Sequence, residues 1–254
     1  MNTMQIDNLK IEIADNRNSM GKAAANEVAL QIKKMLNEKD ELRIVFAAAP
    51  SQNEFLYEFA KINLEWNRIT AFHMDEYIGL NDNAEQLFSL YLINNIFSKV
   101  NFKQVHLLKS NSQNPVDECK RYAGLLSEKP IDIVCMGIGE NGHIAFNDPP
   151  VADFSDKEKV KIVELDNECR QQQVNDGCFP TFDDVPKTAI TLTVPMLLSA
   201  SYLSIVVPGE RKATPVYNTL YSDISTSCPS TILRKHSNAV LYLDVDSAQQ
   251  IIQE

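Results

Sequence analysis

Eight short runs of β-branched and apolar residues punctuate the chain, at 43–48, 68–72, 104–108, 131–136, 159–165, 189–193, 202–207 and 239–244. Stretches of helical periodicity separate most of them, among them 20–38, with Ala23, Val28, Ile32 and Met35 on one stripe, 51–62 and 84–97. A strand period giving way repeatedly to a helical period leaves few folds open, because parallel strands need crossover helices and those helices cover the sheet. Runs such as Ile131-Asp-Ile-Val-Cys-Met136 are nearly continuous in apolar character, as strands covered on both faces are. The expected fold is therefore α/β, a three-layer, mostly parallel, Rossmann-like sheet with helices on both faces. No Gly/Ser-rich linker, charge block or internal repeat divides residues 1–254, so a single domain is expected.

In such sheets ligands sit beyond the carboxyl ends of the strands, and charge narrows what those ligands are. Acidic residues outnumber basic ones 34 to 24, a formal net charge of −10, which argues against a general nucleic-acid or anionic-membrane surface. An anionic metabolite then requires a locally cationic pocket, and individual Lys and Arg residues in loops carry the weight. The five cysteines show no CxxC pair and are expected to be reduced thiols. The opening residues have no basic stretch followed by an apolar run, and no segment offers about 18 uninterrupted apolar residues, so a cytoplasmic protein without a membrane span is expected.

The loops behind the strands hold the candidates. After the fourth run comes Gly137-Ile-Gly-Glu-Asn-Gly-His-Ile-Ala-Phe-Asn-Asp-Pro-Pro150. It contains G-x-G-x-x-G, but Pro149 and Pro150 follow too closely for the long helix of a dinucleotide fingerprint. His143, flanked by glycine and near Asp148, is suited to proton transfer around neutral pH. Behind the second run, Asp75 and Glu76 are adjacent acids that an extended chain turns to opposite sides, so one can serve a site while the other is held elsewhere. Ala47-Ala-Ala-Pro-Ser-Gln52 after the first run and Gly209-Glu-Arg-Lys212 after the seventh read as anion-facing starts of helices, with Ser51 and Lys212 as donors. Arg170, in a polar stretch after an apolar run, has the forked geometry that grips oxyanions, and a surface Arg looks the same in sequence.

In their order along the chain these segments resemble the glucosamine-6-phosphate deaminase/isomerase family. Met74-Asp-Glu-Tyr-Ile-Gly-Leu80 is similar to that family's M-D-E-Y-V-G-L segment, and 137–149 to its G-x-G-x-D-G-H-I-A-F-N-E-P segment. The segments 185–193, 209–213 and 228–233 support the match. The resemblance implies an enzyme that converts an amino-sugar 6-phosphate, glucosamine 6-phosphate first, into a ketose 6-phosphate and ammonia, with no cofactor and no metal. It implies Asp75 as the base between C1 and C2, His143 in ring opening, and Asn141 and Asp148 where the family has an aspartate and a glutamate beside that histidine. It also implies Arg170 and Lys212 as phosphate-side cations, with Ala48, Ser51, Gln52, Glu76 and Gly142 completing the substrate-binding set. The partner expected is a small-molecule sugar phosphate, and the resemblance is compatible with a homo-oligomer. Galactosamine 6-phosphate deamination, 6-phosphogluconolactone hydrolysis and a non-catalytic sugar-phosphate sensor are the alternatives.

Overall fold

The computed structural model describes residues 2–252. Seven of the strands in its large sheet run parallel and an eighth closes one edge antiparallel. In spatial order they are β1 (Asn2–Ile6), β2 (Leu9–Ala14), β11 (Ala239–Asp244), β10 (Tyr202–Val207), β7 (Ile133–Met136), β3 (Leu42–Phe46), β4 (Ile69–His73) and β6 (Gln104–His106). Six of the eight expected runs are strands of this sheet. The central ones are buried at every residue, which is why their sequence shows no alternation.

Strand periodicity still sorts their side chains into two cores. Val45, Phe72, Val134, Met136, Ile205 and Leu241 pack on one face with Cys119, Tyr122 and Leu126 of α4 (Pro115–Ser127). Ile44, Phe46, Ala71, Ile133, Cys135 and Val206 pack on the other with α1 (Arg17–Leu36) and α2 (Asn53–Phe59). The three layers expected from the sequence are thus present. α1 starts where Asn16 accepts from Ser19 N at 2.9 Å, and it buries Met20, Ala24, Val28, Ile32 and Leu36. Ala23 and Met35 of the expected stripe flank that seam half-buried. A Cβ at Gly21 would lie 2.6 Å from Glu54 Cβ, so only glycine lets α1 and α2 approach this closely.

Two of the expected runs fall elsewhere. β8 (Val160–Glu164) and β9 (Thr188–Leu192) pair antiparallel with each other, and β9 pairs antiparallel with β5 (Asp75–Tyr77), making a separate three-stranded sheet. β8 leaves Ile162 and Glu164 exposed and Lys161 half-buried while burying Val160 and Val163, so it lacks the full cover of the central parallel strands. The connection between β8 and β9 is α5 (Asn167–Asn175) and a short turn, and it returns the chain antiparallel to β8 and does not carry it across the main sheet. The expected helix at 84–97 is shorter than its periodicity, α3 (Phe88–Leu92) continuing as π-helical turns over Ile93–Phe97. The expected helix at 51–62 is a 3₁₀ turn, Pro50–Gln52, leading into α2. α6 (Val194–Leu198) and α7 (Ala213–Tyr221) complete the set named here. Among the described residues no helix is long and apolar enough to cross a membrane.

Candidate active site

A cavity of about 920 Å³ opens over the carboxyl ends of the central strands. Four loops meet there: 47–52 after β3, 74–75 after β4, 137–146 after β7 and 208–212 after β10. Neighbouring parallel strands deliver consecutive loops to one edge, so residues far apart in sequence share one wall. Ala48, Ser51, Gln52, Asp75, His143 and Lys212, all expected in the site, line the cavity.

The His143 ring lies against Gly139, where an added Cβ would fall within 2.4 Å of three of its atoms. Its Nδ1 is 2.7 Å from Asn141 Oδ1 and 3.0 Å from Asp148 Oδ1. Two acceptors at one nitrogen fix the proton on Nδ1 and leave Nε2 as the lone-pair nitrogen. Asp148 is fully buried. Burial by itself raises a carboxyl, but the electrostatic attraction of the His143 ring and hydrogen bonds from His143, Asn141 and Asp166 outweigh it and hold Asp148 below the usual carboxylate range. The shorter aspartate therefore does reach the histidine. Asn141 does more than orient the ring, because its Nδ2 donates to Asp148 at 3.1 Å and to Asp166 at 3.0 Å and so separates two carboxylates. Neither Asn141 nor Asp148 lines the cavity; both act from behind His143.

Asp75 and Glu76 divide as adjacent residues of β5 must. Asp75 faces the cavity, and burial first, then the charges of Glu76 and Asp148, push its carboxyl well above the usual range. Glu76 turns the opposite way. It is fully buried and accepts from Tyr77 N, Phe88 N and Ser89 N at 2.9–3.1 Å, closing the start of α3, with burial raising its carboxyl to about 7. Expected in substrate binding, it stands off the cavity, its oxygens turned to N–H groups of Tyr77, Phe88 and Ser89.

Two other expected residues also stand off the cavity wall. Arg170 does not reach the cavity. Its Nη2 donates to Phe182 O at 2.9 Å and Val185 O at 3.0 Å, and the guanidinium lies 4.0 Å over the Phe182 ring, so it ties the turn after α5. Gly142, with φ +81°, also stands back from the cavity. Its carbonyl accepts from Ser230 N at 2.8 Å and a Cβ would lie 2.5 Å from Cys228 Sγ, so its role is to seat the His143 loop on 228–230.

The structure adds residues that the sequence did not single out. Arg17, Tyr91, Gln172, Gln173 and Arg211 line the cavity. Arg17 is tied to Glu54 and Pro50 O at 3.0–3.1 Å, and Arg211 to Asp176 and Asn175 O at 2.9–3.0 Å. Tyr91 O–H sits 2.8 Å from Ala49 O and 2.6 Å from Asn53 Oδ1, bracing the 47–52 loop. Lys212 stands apart. It is 7 % exposed, its ammonium has no partner among the described residues, and desolvation lowers it to about 8 despite Asp176 and Glu140. One group has the composition of metal ligands, His143, Asp148 and Cys169, with ligand atoms within 4.8 Å of one another. Burial and the neighbouring Asp148 and Asp166 push the Cys169 thiol well up, which opposes the thiolate a metal needs.

A carboxyl with a raised affinity for protons, a histidine with one free ring nitrogen and an unpaired buried ammonium share one cavity at the carboxyl edge of a parallel sheet. That combination defines an α/β enzyme with acid–base chemistry and a place for an anionic small molecule. Residues 15–242 match the model of the glucosamine-6-phosphate isomerases/6-phosphogluconolactonase family, and the chain belongs to that family. A glucosamine-6-phosphate deaminase of Clostridium acetobutylicum is 29% identical over 248 residues, covering 96% of this chain and all of that protein. One from Bacillus cereus is 31% identical over 216 residues, covering 85% of this chain and 80% of the relative. Among solved structures, a monomeric glucosamine-6-phosphate deaminase superposes with a TM-score of 0.85 at 27% identity, over 97% of this chain and 99% of its own. A 6-phosphogluconolactonase of Thermotoga maritima gives 0.75 at 19% identity, over 92% of this chain and 98% of its own, a likeness of fold.

Proposed function

We propose that this chain, as a single cytoplasmic domain, converts glucosamine 6-phosphate and water into fructose 6-phosphate and ammonia. The observation that carries the assignment is the pairing in one cavity of Asp75, a buried carboxyl on β5, with His143, whose Nδ1 is held by Asn141 and Asp148. His143 Nε2 moves the proton between O1 and O5 as the pyranose opens. Asp75 takes the proton from C2 of the open aldose and returns it to C1, and water then replaces the nitrogen at C2, releasing ammonia. A base whose affinity for protons is raised toward the working pH suits both halves of that transfer. Lys212 meets the phosphoryl group, and Ala48, Ser51 and Gln52 line the cavity with it. Gln52 is fixed for this by donating to Ser51 Oγ and Val206 O, each at 3.2 Å. The test is ammonia release from glucosamine 6-phosphate, with galactosamine 6-phosphate and 6-phosphogluconolactone in parallel. Ammonia from the first is expected; ammonia from neither amino sugar overturns the assignment.

A further inference from the structure

α5 presents two glutamines to the cavity, and their amides are in different states. Gln172 is fully engaged: its Oε1 accepts from Glu140 N at 2.8 Å and its Nε2 donates to Asp176 Oδ2 at 3.3 Å. Gln173 is engaged at one end. Its Oε1 accepts from the Tyr77 hydroxyl at 2.7 Å in a buried hydrogen bond, while its Nε2 has no partner among the described residues. The side chain is only 6 % exposed and lines the cavity. The amide N–H is therefore open to the cavity, where an acceptor oxygen of a ligand can take the place of water.

Tyr77 also anchors one end of the amide, its hydroxyl donating to Gln173 Oε1. Its ring is wedged among Phe88, Phe146 and Phe179 at centroid distances of 4.8–5.4 Å, so the hydroxyl cannot follow a rotating glutamine. Gln173 and Lys212 line the same cavity, as does Asp176 at the end of α5. The free amide and the free ammonium thus open onto one space.

From this arrangement we propose that Gln173 is a specificity-determining residue, its Nε2 donating to an acceptor oxygen of a sugar phosphate bound in the cavity it shares with Lys212, while Tyr77 holds the other end of the amide. The acceptor is a phosphoryl oxygen or a hydroxyl at the same end of the sugar. The inference rests on the sugar-phosphate reading above and concerns binding, so it is tested by binding.

Gln173→Glu keeps the acceptor for Tyr77 but turns the inward group from donor to acceptor, whereas Gln173→Met keeps volume and removes both. Calorimetric titration with glucosamine 6-phosphate should show Kd raised about tenfold or more in Gln173→Glu, less in Gln173→Met, and a few-fold in Tyr77→Phe. A residue that merely held Tyr77 in place gives the reverse order, with Gln173→Glu close to wild type, and that order overturns the proposal. Inorganic phosphate as a second probe separates the two acceptors. Parallel weakening identifies the phosphoryl group, and weakening of the sugar phosphate alone identifies the hydroxyl. If the wild type binds glucosamine 6-phosphate but releases no ammonia, the catalytic assignment fails and the order of the variants still decides this one. Failure of the wild type to bind either probe overturns both.

Discussion

Gly139→Ala isolates the contribution of His143 placement from that of its chemistry. The backbone there is outside the left-handed region, so alanine is tolerated conformationally, and the obstacle is steric. The new methyl would stand 2.2 Å from His143 Cε1, 2.3 Å from Nδ1 and 2.4 Å from Nε2. Ordinary contact begins at 3.4 Å, so the ring must retreat about 1.2 Å (3.4 less 2.2). A shift of that size takes Nδ1, now 2.7 Å from Asn141 Oδ1 and 3.0 Å from Asp148 Oδ1, out of good hydrogen-bond geometry with at least one of them. Misplacement by about 1 Å costs on the order of 100-fold in rate, or about 2.7 kcal/mol in the barrier. Because the ring borders an open cavity, the fold can yield at modest cost, about 1–3 kcal/mol. Steady-state ammonia release should therefore show kcat down about 100-fold with a cooperative thermal transition only a few degrees lower. His143→Gln added to this variant should lower kcat little further, since the ring is already displaced. A kcat within about threefold of wild type would refute the steric reasoning and with it the importance of the ring's seat on Gly139.

Asp75→Asn should lower kcat by about 10²–10⁴ while leaving binding of glucosamine 6-phosphate intact by calorimetry; unchanged turnover removes Asp75 as the base. Lys212, held at about 8, is a cation below that pH and neutral above it, so kcat/KM should fall as pH rises past about 8, and Lys212→Arg should move that limb upward. Asn141→Asp would replace the amide between Asp148 and Asp166 with a third carboxyl. Crowding raises its folded pKa, so stability is retained at low pH and lost as pH rises through that value: thermal melts should show a deficit at pH 7, of about 1.5–3 kcal/mol, that shrinks toward pH 4. Gly124→Ala, inside α4 with nothing within 4 Å of the new methyl, should stabilise by about 0.5–1 kcal/mol in urea unfolding without changing kcat.

What sequence makes legible here follows the physics of each signal. β10 and β11 were visible at their full extents because buried parallel strands are unbroken apolar runs. The hairpin β1–β2 was missed: Leu9-Lys-Ile-Glu-Ile-Ala14 alternates as a strand with one wet side does, but the turn at Asp7 and Asn8 lacks glycine, and Asp7 adopts φ 51° without it. β5 was missed because three residues are too few for a period. Asp75, His143 and Lys212 were legible as polar residues directly behind strands. The place of Arg170 off the cavity was not legible because the carbonyls that hold its guanidinium, Phe182 O and Val185 O, belong to the turn that follows α5. Gln173 carried no signal of its own, since its partner Tyr77 lies 96 residues away.

The order of the main sheet also has a consequence for how the chain comes into being. β11 lies between β2 and β10, with Ala239 opposite both Leu9 and Leu203. The β1–β2 hairpin therefore has no place in the sheet until β11 has emerged from the ribosome. Through most of synthesis β2 and β10 each present an unpaired edge, and pairing across so long a separation is slow. A nascent chain that stalls before residue 239 leaves both edges bare, so the stage at which this protein is most prone to stick to other chains is the one that β11 brings to an end.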